Sequence, residues 1–127
     1  MSIEFSKAIP TFRIFSLEKA REFYLDFLGF KVDWEHRFSA DAPVYMQVSR
    51  GGLAIHLSEH HGDGTPGSVA YVMTKGVADL HRELTDKNYR YNRPGLQRQD
   101  WGMTELTVTD PFNNRITFGE PTEKPAS

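Results

Sequence analysis

Strand, helix and hairpin signals run along this chain in one order and then, about 60 residues later, run through the same order again. The first copy opens on AIPTFRIF (residues 8–15), rich in β-formers, and on Ser16, a good helix N-cap. Leu17, Ala20, Phe23, Tyr24, Phe27 and Leu28 follow at helical spacing, and Gly29 ends the helix. Three strand-like runs come next: Phe30 to Phe38, Val44 to Val48, and Leu53 to Ser58, the last two joined by the tight pair Gly51-Gly52. After the turn-rich loop HHGDGTPG the order restarts with the strand SVAYVMT and a helix marked by Val77, Leu80 and Leu84. Asn88-Tyr89 stands where Gly29-Phe30 stood. A Pro/Gly/Gln-rich stretch, the strand MTELTVT, the turn DPFNN and the strand RITF complete the second copy. Two copies suit a paired-module fold, since a solenoid needs about three units or more.

The expected fold is therefore α+β: two βαβββ modules in tandem, with curled mixed sheets forming a concave cleft and helices on the outer face. One domain is expected over residues 1–127, with module 1 at about 5–62, module 2 at about 66–120 and a mobile tail over 121–127. A helix covering one face of each sheet leaves the other face free, and strand alternation assigns the side chains. Phe12, Ile14, Leu53, Ile55 and Leu57 go to the helix side. Ile9, Thr11, Arg13, Tyr45, Gln47 and His56 go to the open face of the first module. In the second, Val69, Tyr71, Met73, Met103, Glu105, Thr107, Arg115 and Thr117 do so. Such a mixture of aromatic, polar and charged groups suits a ligand groove better than a core.

Charge narrows the partners. Fifteen Lys and Arg are scattered among seventeen Asp and Glu, for a net charge of −2, and no basic stripe is present to follow phosphates, so nucleic acid is not an expected partner. No apolar run approaches the ~20 residues that span a bilayer, and the N-terminus lacks the pattern of a secretion signal, so a cytoplasmic location is the default expectation. There is no cysteine, hence no disulfide and no thiolate metal site.

Three segments, SLEKAREFYLDFLGFKV, DWGMTELTVTDPFNNRITF and the repeat itself, give the chain its resemblance to the glyoxalase/bleomycin-resistance superfamily, also called vicinal-oxygen-chelate proteins. The resemblance covers roughly residues 8–120 and implies βαβββ modules whose sheets curl around a cleft, usually in a homodimer. It also implies that metal-dependent members hold a divalent ion with ligands from the first and last strand of each module. In this sequence those positions are Ile9, His56, Val69 and Thr117, and only His56 is a good ligand. No metal and no other cofactor is therefore expected, and the chain is similar to the metal-free bleomycin-resistance branch, which sequesters its drug. By that resemblance the groove is lined by Trp34, Phe38 and Trp101, and with the open-face residues the expected ligand set becomes Trp34, Phe38, Tyr45, Gln47, His56, Tyr71, Met73, Trp101, Met103 and Glu105.

The leading expectation is a non-catalytic protein that sequesters an aromatic or glycopeptide-type antibiotic or metabolite. The alternative is a divalent-metal-dependent lyase, isomerase or dioxygenase gathering ligands from His56, Glu59, His60 or Glu105. His56 to His60 also spells H-x-x-E-H, but that zinc-peptidase arrangement works on one helix, whereas here a strand runs into a Gly/Pro loop. A histidine-bearing rim is the expected role of His60 and His61, and His36 and His81 read as surface residues. Arg13 and Glu105 are candidates for a buried ion pair across the groove. Asp110 to Asn114 reads as a turn without chemistry, Asn being tolerant of the left-handed conformation that closes it.

Overall fold

Hydrogen bonding completes each copy of the repeat as a four-stranded mixed sheet in the computed structural model, which describes residues 2–122. The elements are β1 (Thr11–Arg13), α1 (Leu17–Arg21) running on into a π-helical segment (Glu22–Phe27), β2 (Lys31–His36), β3 (Tyr45–Arg50) and β4 (Leu53–Ser58), then β5 (Val69–Met73), α2 (Val77–Lys87), β6 (Leu96–Arg98), β7 (Met103–Thr109) and β8 (Arg115–Pro121). The sheet orders are β1-β4-β3-β2 and β5-β8-β7-β6, with β1 parallel to β4, β5 parallel to β8, and the remaining pairs antiparallel. These are two tandem βαβββ modules, and neither sheet closes into a barrel.

The punctuation works as the sequence implies. Ser16 accepts a hydrogen bond from the Lys19 backbone N–H at 3.2 Å, and the first helix stops at Gly29 with φ of 76°. Asn88, the equivalent stop in module 2, is also left-handed, with φ of 48°. Gly51 at φ 59° lets the chain reverse between β3 and β4 in two residues.

Four details differ from expectation. β1 spans three residues rather than the eight of AIPTFRIF, because Pro10 has no N–H to donate, though its carbonyl accepts from the His56 backbone at 2.9 Å. The first helix widens into π geometry, with the Leu28 N–H reaching the Phe23 carbonyl at 2.9 Å, yet Phe23, Tyr24, Phe27 and Leu28 are all buried. β6 lies inside the stretch expected to be an irregular connection. It is an edge strand of three exposed residues, too short to show a periodicity. Pro121 belongs to β8 and Thr122 donates its N–H to Gly102, so the expected tail is anchored at its start. Residues 123–127 lie outside the described residues.

Alternation predicts the core well. Phe12, Ile14, Met46, Val48, Ile55 and Leu57 from the first sheet join Leu106, Val108, Ile116 and Phe118 from the second. Phe23, Tyr24, Leu28, Val77 and Leu84 from the helices fill the same cluster, so both modules share one core. Each large apolar side chain buried there contributes about 1.5–3 kcal/mol relative to exposure.

The modules are fastened at matching places. Asp110, just past β7, accepts the Tyr24 hydroxyl at 2.7 Å, the Asn114 side-chain amide at 2.9 Å, and the backbone N–H groups of Phe112 and Asn114 at 2.8 Å. Asn114 in turn donates to the Arg13 carbonyl at 2.9 Å and accepts from the Ser68 N–H at 3.1 Å, stitching β1 to the entry of β5. Asn113 takes the left-handed conformation, φ 71°, that closes this turn. Burial, reinforced by the Asp110 carboxylate, pushes the Tyr24 hydroxyl well above its ordinary pKa. Arg50, at the end of β3, reaches the other way, meeting Glu83 of α2 through two bonds of 2.7 Å and the Leu28 carbonyl at 2.8 Å.

Asp110→Ala strands the buried Tyr24 and Asn114 donors and is expected to destabilise the protein by about 3 kcal/mol or more. Tyr24→Phe is expected to cost about 1–2 kcal/mol. Urea unfolding of both variants checks this, and equal midpoints for wild type and Asp110→Ala would contradict it.

Candidate functional site

The open face of the first sheet is organised by an irregularity. The β2–β3 register shifts between Val32 and Trp34, which brings both Asp33 and Trp34 over β3. Trp34 lies on Tyr45 with ring centroids 5.9 Å apart and planes 11° from parallel, and it meets the edge of His56 at 5.3 Å. Gln47 donates its amide N–H to Asp33 at 2.9 Å, so its oxygen is left to accept from His56 Nε2 at 3.0 Å. With its proton on Nε2, neutral His56 offers Nδ1 to the Tyr45 hydroxyl at 2.8 Å, and Thr11 stands 3.5 Å behind that hydroxyl. A polarised chain therefore runs from Thr11 through Tyr45, His56 and Gln47 to Asp33. Partial burial lowers the His56 pKa, and hydrogen bonds from Gln47 and Ser49 hold the Asp33 carboxyl below the usual range. Phe38 is 82% exposed and sits edge-on to His36 at 5.0 Å and His60 at 6.5 Å, as a rim group.

The open face of the second sheet is built around Glu105, 9% exposed. Its carboxylate accepts the Tyr71 hydroxyl at 2.8 Å and the Gln99 amide at 3.2 Å. Tyr71 lies flat because Gly119 is beneath it: a Cβ at 119 would stand 2.0 Å from the phenol oxygen. The hydrogen bond to Glu105, then desolvation, raises the Tyr71 pKa. Met73 is exposed and Met103 half-buried, while Trp101 is 68% exposed on the turn that carries Gln99 into β7.

The ten expected ligand residues thus fall into two groups of five. Trp34, Phe38, Tyr45, Gln47 and His56 belong to one sheet, whereas Tyr71, Met73, Trp101, Met103 and Glu105 belong to the other. Among the described residues no hydrogen bond or aromatic contact joins the groups. The expected Arg13–Glu105 ion pair is not formed, since the two residues lie on different sheets. Arg13 instead rests over the Phe15 ring at 4.6 Å. Three contributors were missed by sequence reasoning. Asp33 depends on the register shift, Gln99 on a turn, and Gly119 on the parallel register of β5 against β8, none of which composition reveals.

The positions at which metal-dependent relatives place ligands do not fit an ion. Ile9 and Val69 offer no donor atoms, and both ring nitrogens of His56 are engaged. The alternative set of His56, Glu59, His60 and Glu105 does not converge either, because Glu59 turns to the Val44 N–H at 3.0 Å and Glu105 is on the other sheet. Among the described residues no three His, Cys, Asp or Glu side chains are grouped to hold a metal. A cavity of about 650 Å³ is at the module junction, lined in part by Phe30, Val72, Leu80 and Phe118 beside the Arg50–Glu83 pair. It shares only Met73 with the expected ligand set, and its lining runs from the buried Leu28, Phe30 and Phe118 to the polar Thr74, Lys75, Asp79 and Glu83.

Paired βαβββ modules with open, chemically mixed sheet faces define the class, and comparison with known proteins names it. A family model described as glyoxalase superfamily protein matches residues 1–124. The chain belongs to that superfamily. No curated protein sequence matches it. Among solved structures, an antibiotic binding protein, TnmS3, from a Streptomyces species is 21% identical, covering 95% of this chain and 100% of that one with a TM-score of 0.72. A bleomycin-binding protein from Streptomyces verticillus, complexed with copper(II)-bleomycin, is 23% identical, covering 97% and 100% with a TM-score of 0.64. A glyoxalase family protein from Enterococcus faecalis is 12% identical, covering 92% and 97% with a TM-score of 0.65. These likenesses show the fold. No described helix is long and apolar enough to cross a membrane.

Two outcomes are expected at these faces. Because folding lowers the His56 pKa, the folded state binds its proton less readily than the unfolded state does. Stability is then undiminished above about pH 6.5 and falls as pH drops from there through the folded value. An NMR titration placing His56 at or above its unfolded value contradicts this, and His56→Gln is expected to flatten that part of the profile. Gly119→Ala is expected to lift Tyr71 off Glu105, costing about 1–3 kcal/mol by overpacking. The Tyr71 phenol pKa then returns toward its ordinary value in an ultraviolet titration.

Proposed function

We propose that this chain is a small-molecule binding protein that sequesters an aromatic or glycopeptide-type antibiotic or metabolite without using a metal. One observation carries the reading: at the position where metal-dependent relatives place a ligand, His56 is tied to Tyr45 and Gln47 beneath the stacked Trp34 ring. Two of the other three such positions, Ile9 and Val69, are hydrocarbon. An aromatic surface with a hydrogen-bonded polar centre grips planar ligands, each ring contributing on the order of 1 kcal/mol. Structural neighbours that bind antibiotics give the same direction.

The protein acts as a homodimer in this reading. Val69, Tyr71 and Met73 are at least half exposed on one face, Trp34 is 41% exposed on the other, and the edge strands β2 and β6 are exposed along their whole length. Apolar surface of that extent is a liability for a lone chain, and a second copy laid across it brings the two groups of ligand residues to one groove.

Calorimetric titration with bleomycin-class drugs and a panel of aromatic metabolites is expected to find a ligand held at micromolar or tighter affinity. Trp34→Ala and Trp101→Ala should each weaken it about 5-fold, the equivalent of about 1 kcal/mol. Sedimentation is expected to show a dimer. Turnover of any compound by protein carrying stoichiometric metal would overturn the reading.

A further inference from the structure

The chain buries two carboxylates among its described residues, and their surroundings differ in a way the fold alone does not require. Asp110 is saturated, receiving four hydrogen bonds from Tyr24, Asn114 and two backbone N–H groups. A carboxylate offers about four acceptor sites, so nothing further is needed there. Glu105, 9% exposed, receives two, from the Tyr71 hydroxyl and the Gln99 amide. Both donors are neutral, and among the described residues no Lys, Arg or His forms an ion pair with it. Arg13 is on the other sheet over Phe15, and Arg115 stands at the far end of β8, four residues before Gly119.

A neutral acceptor such as glutamine would seat Tyr71 equally well, without placing a charge where little water reaches it. The charge is therefore unexplained by packing. It also lies on an open face, under a phenol ring that Gly119 allows to lie flat, and next to the turn carrying the exposed Trp101. We propose that Glu105 is a specificity-determining residue that pairs with a protonated nitrogen group of the ligand: an ammonium, amidinium or guanidinium attached to or beside its aromatic part. This rests on the small-molecule reading above and deepens it. The cation's N–H groups fill the two acceptor sites left open on Glu105, while the adjoining apolar part covers Tyr71 and Met73.

Benzamidine and benzamide, nearly identical in shape and differing in charge, test the inference by NMR chemical-shift titration of the intact chain. Wild-type protein is expected to bind benzamidine at least 10-fold more tightly than benzamide, with shifts centred on Tyr71, Gln99 and Glu105. Glu105→Gln keeps the acceptor for Tyr71 and is expected to reduce that preference to less than 2-fold. The wild-type comparison stands by itself should the variant fold poorly. Equal binding of the two compounds by wild type, or a preference that survives in folded Glu105→Gln, overturns the role of Glu105 and leaves the small-molecule reading intact. If neither compound shifts any resonance of either face at millimolar concentration, the role of Glu105 falls, and if the drug and metabolite panel also fails to bind, the broader reading falls with it.

Discussion

Asp110 receives a phenol, a side-chain amide and two backbone N–H groups in a space that excludes water, and the donors come from both halves of the repeat. A buried charge of this kind is tolerable only while its hydrogen bonds are complete, so the geometry of the joint is specified to a fraction of an ångström. Through Asn114 the same cluster grips β1, which has only three paired residues of its own. One turn of five residues thus helps to set the first sheet against the second, beside the shared core and the Arg50–Glu83 contact. Its polar side chains are taken up by structural hydrogen bonds.

Much of this was legible beforehand. Alternating apolar residues in TFRIF, LAIHLS and MTELTVT assigned the inner faces correctly, because burial acts on every second residue of a strand irrespective of its partners. Ser16, Gly29 and Asn113 marked their caps and turns through local backbone preference, which also needs no tertiary information. Asn88 followed from the repeat. What sequence could not give was anything fixed by register. The shift at Asp33, the flat Tyr71 over Gly119 and the three-residue β6 all arise from one strand's alignment with another. The separation of Arg13 from Glu105 is of the same kind: both point to an open face, as alternation says, but alternation is silent on which face opposes which.

The two copies of the repeat present different side chains on those faces. One carries a neutral histidine suspended between a phenol and an amide below an indole, and the other a carboxylate below a phenol. Similar backbones thus display different chemistry, the aromatic content being common to both. The family-model match over residues 1–124 assigns the family here, and side chains projecting from equivalent strands assign the character of each surface.

Two of the fastenings between modules also differ in their exposure to solvent. Tyr24 and Asp110 meet in the dry interior, whereas Arg50 and Glu83 meet in contact with solvent, each about 40% exposed. Mobile ions weaken attraction between charges they can surround and leave buried contacts nearly untouched. Raising ionic strength therefore weakens the Arg50–Glu83 contact more than the Tyr24–Asp110 one.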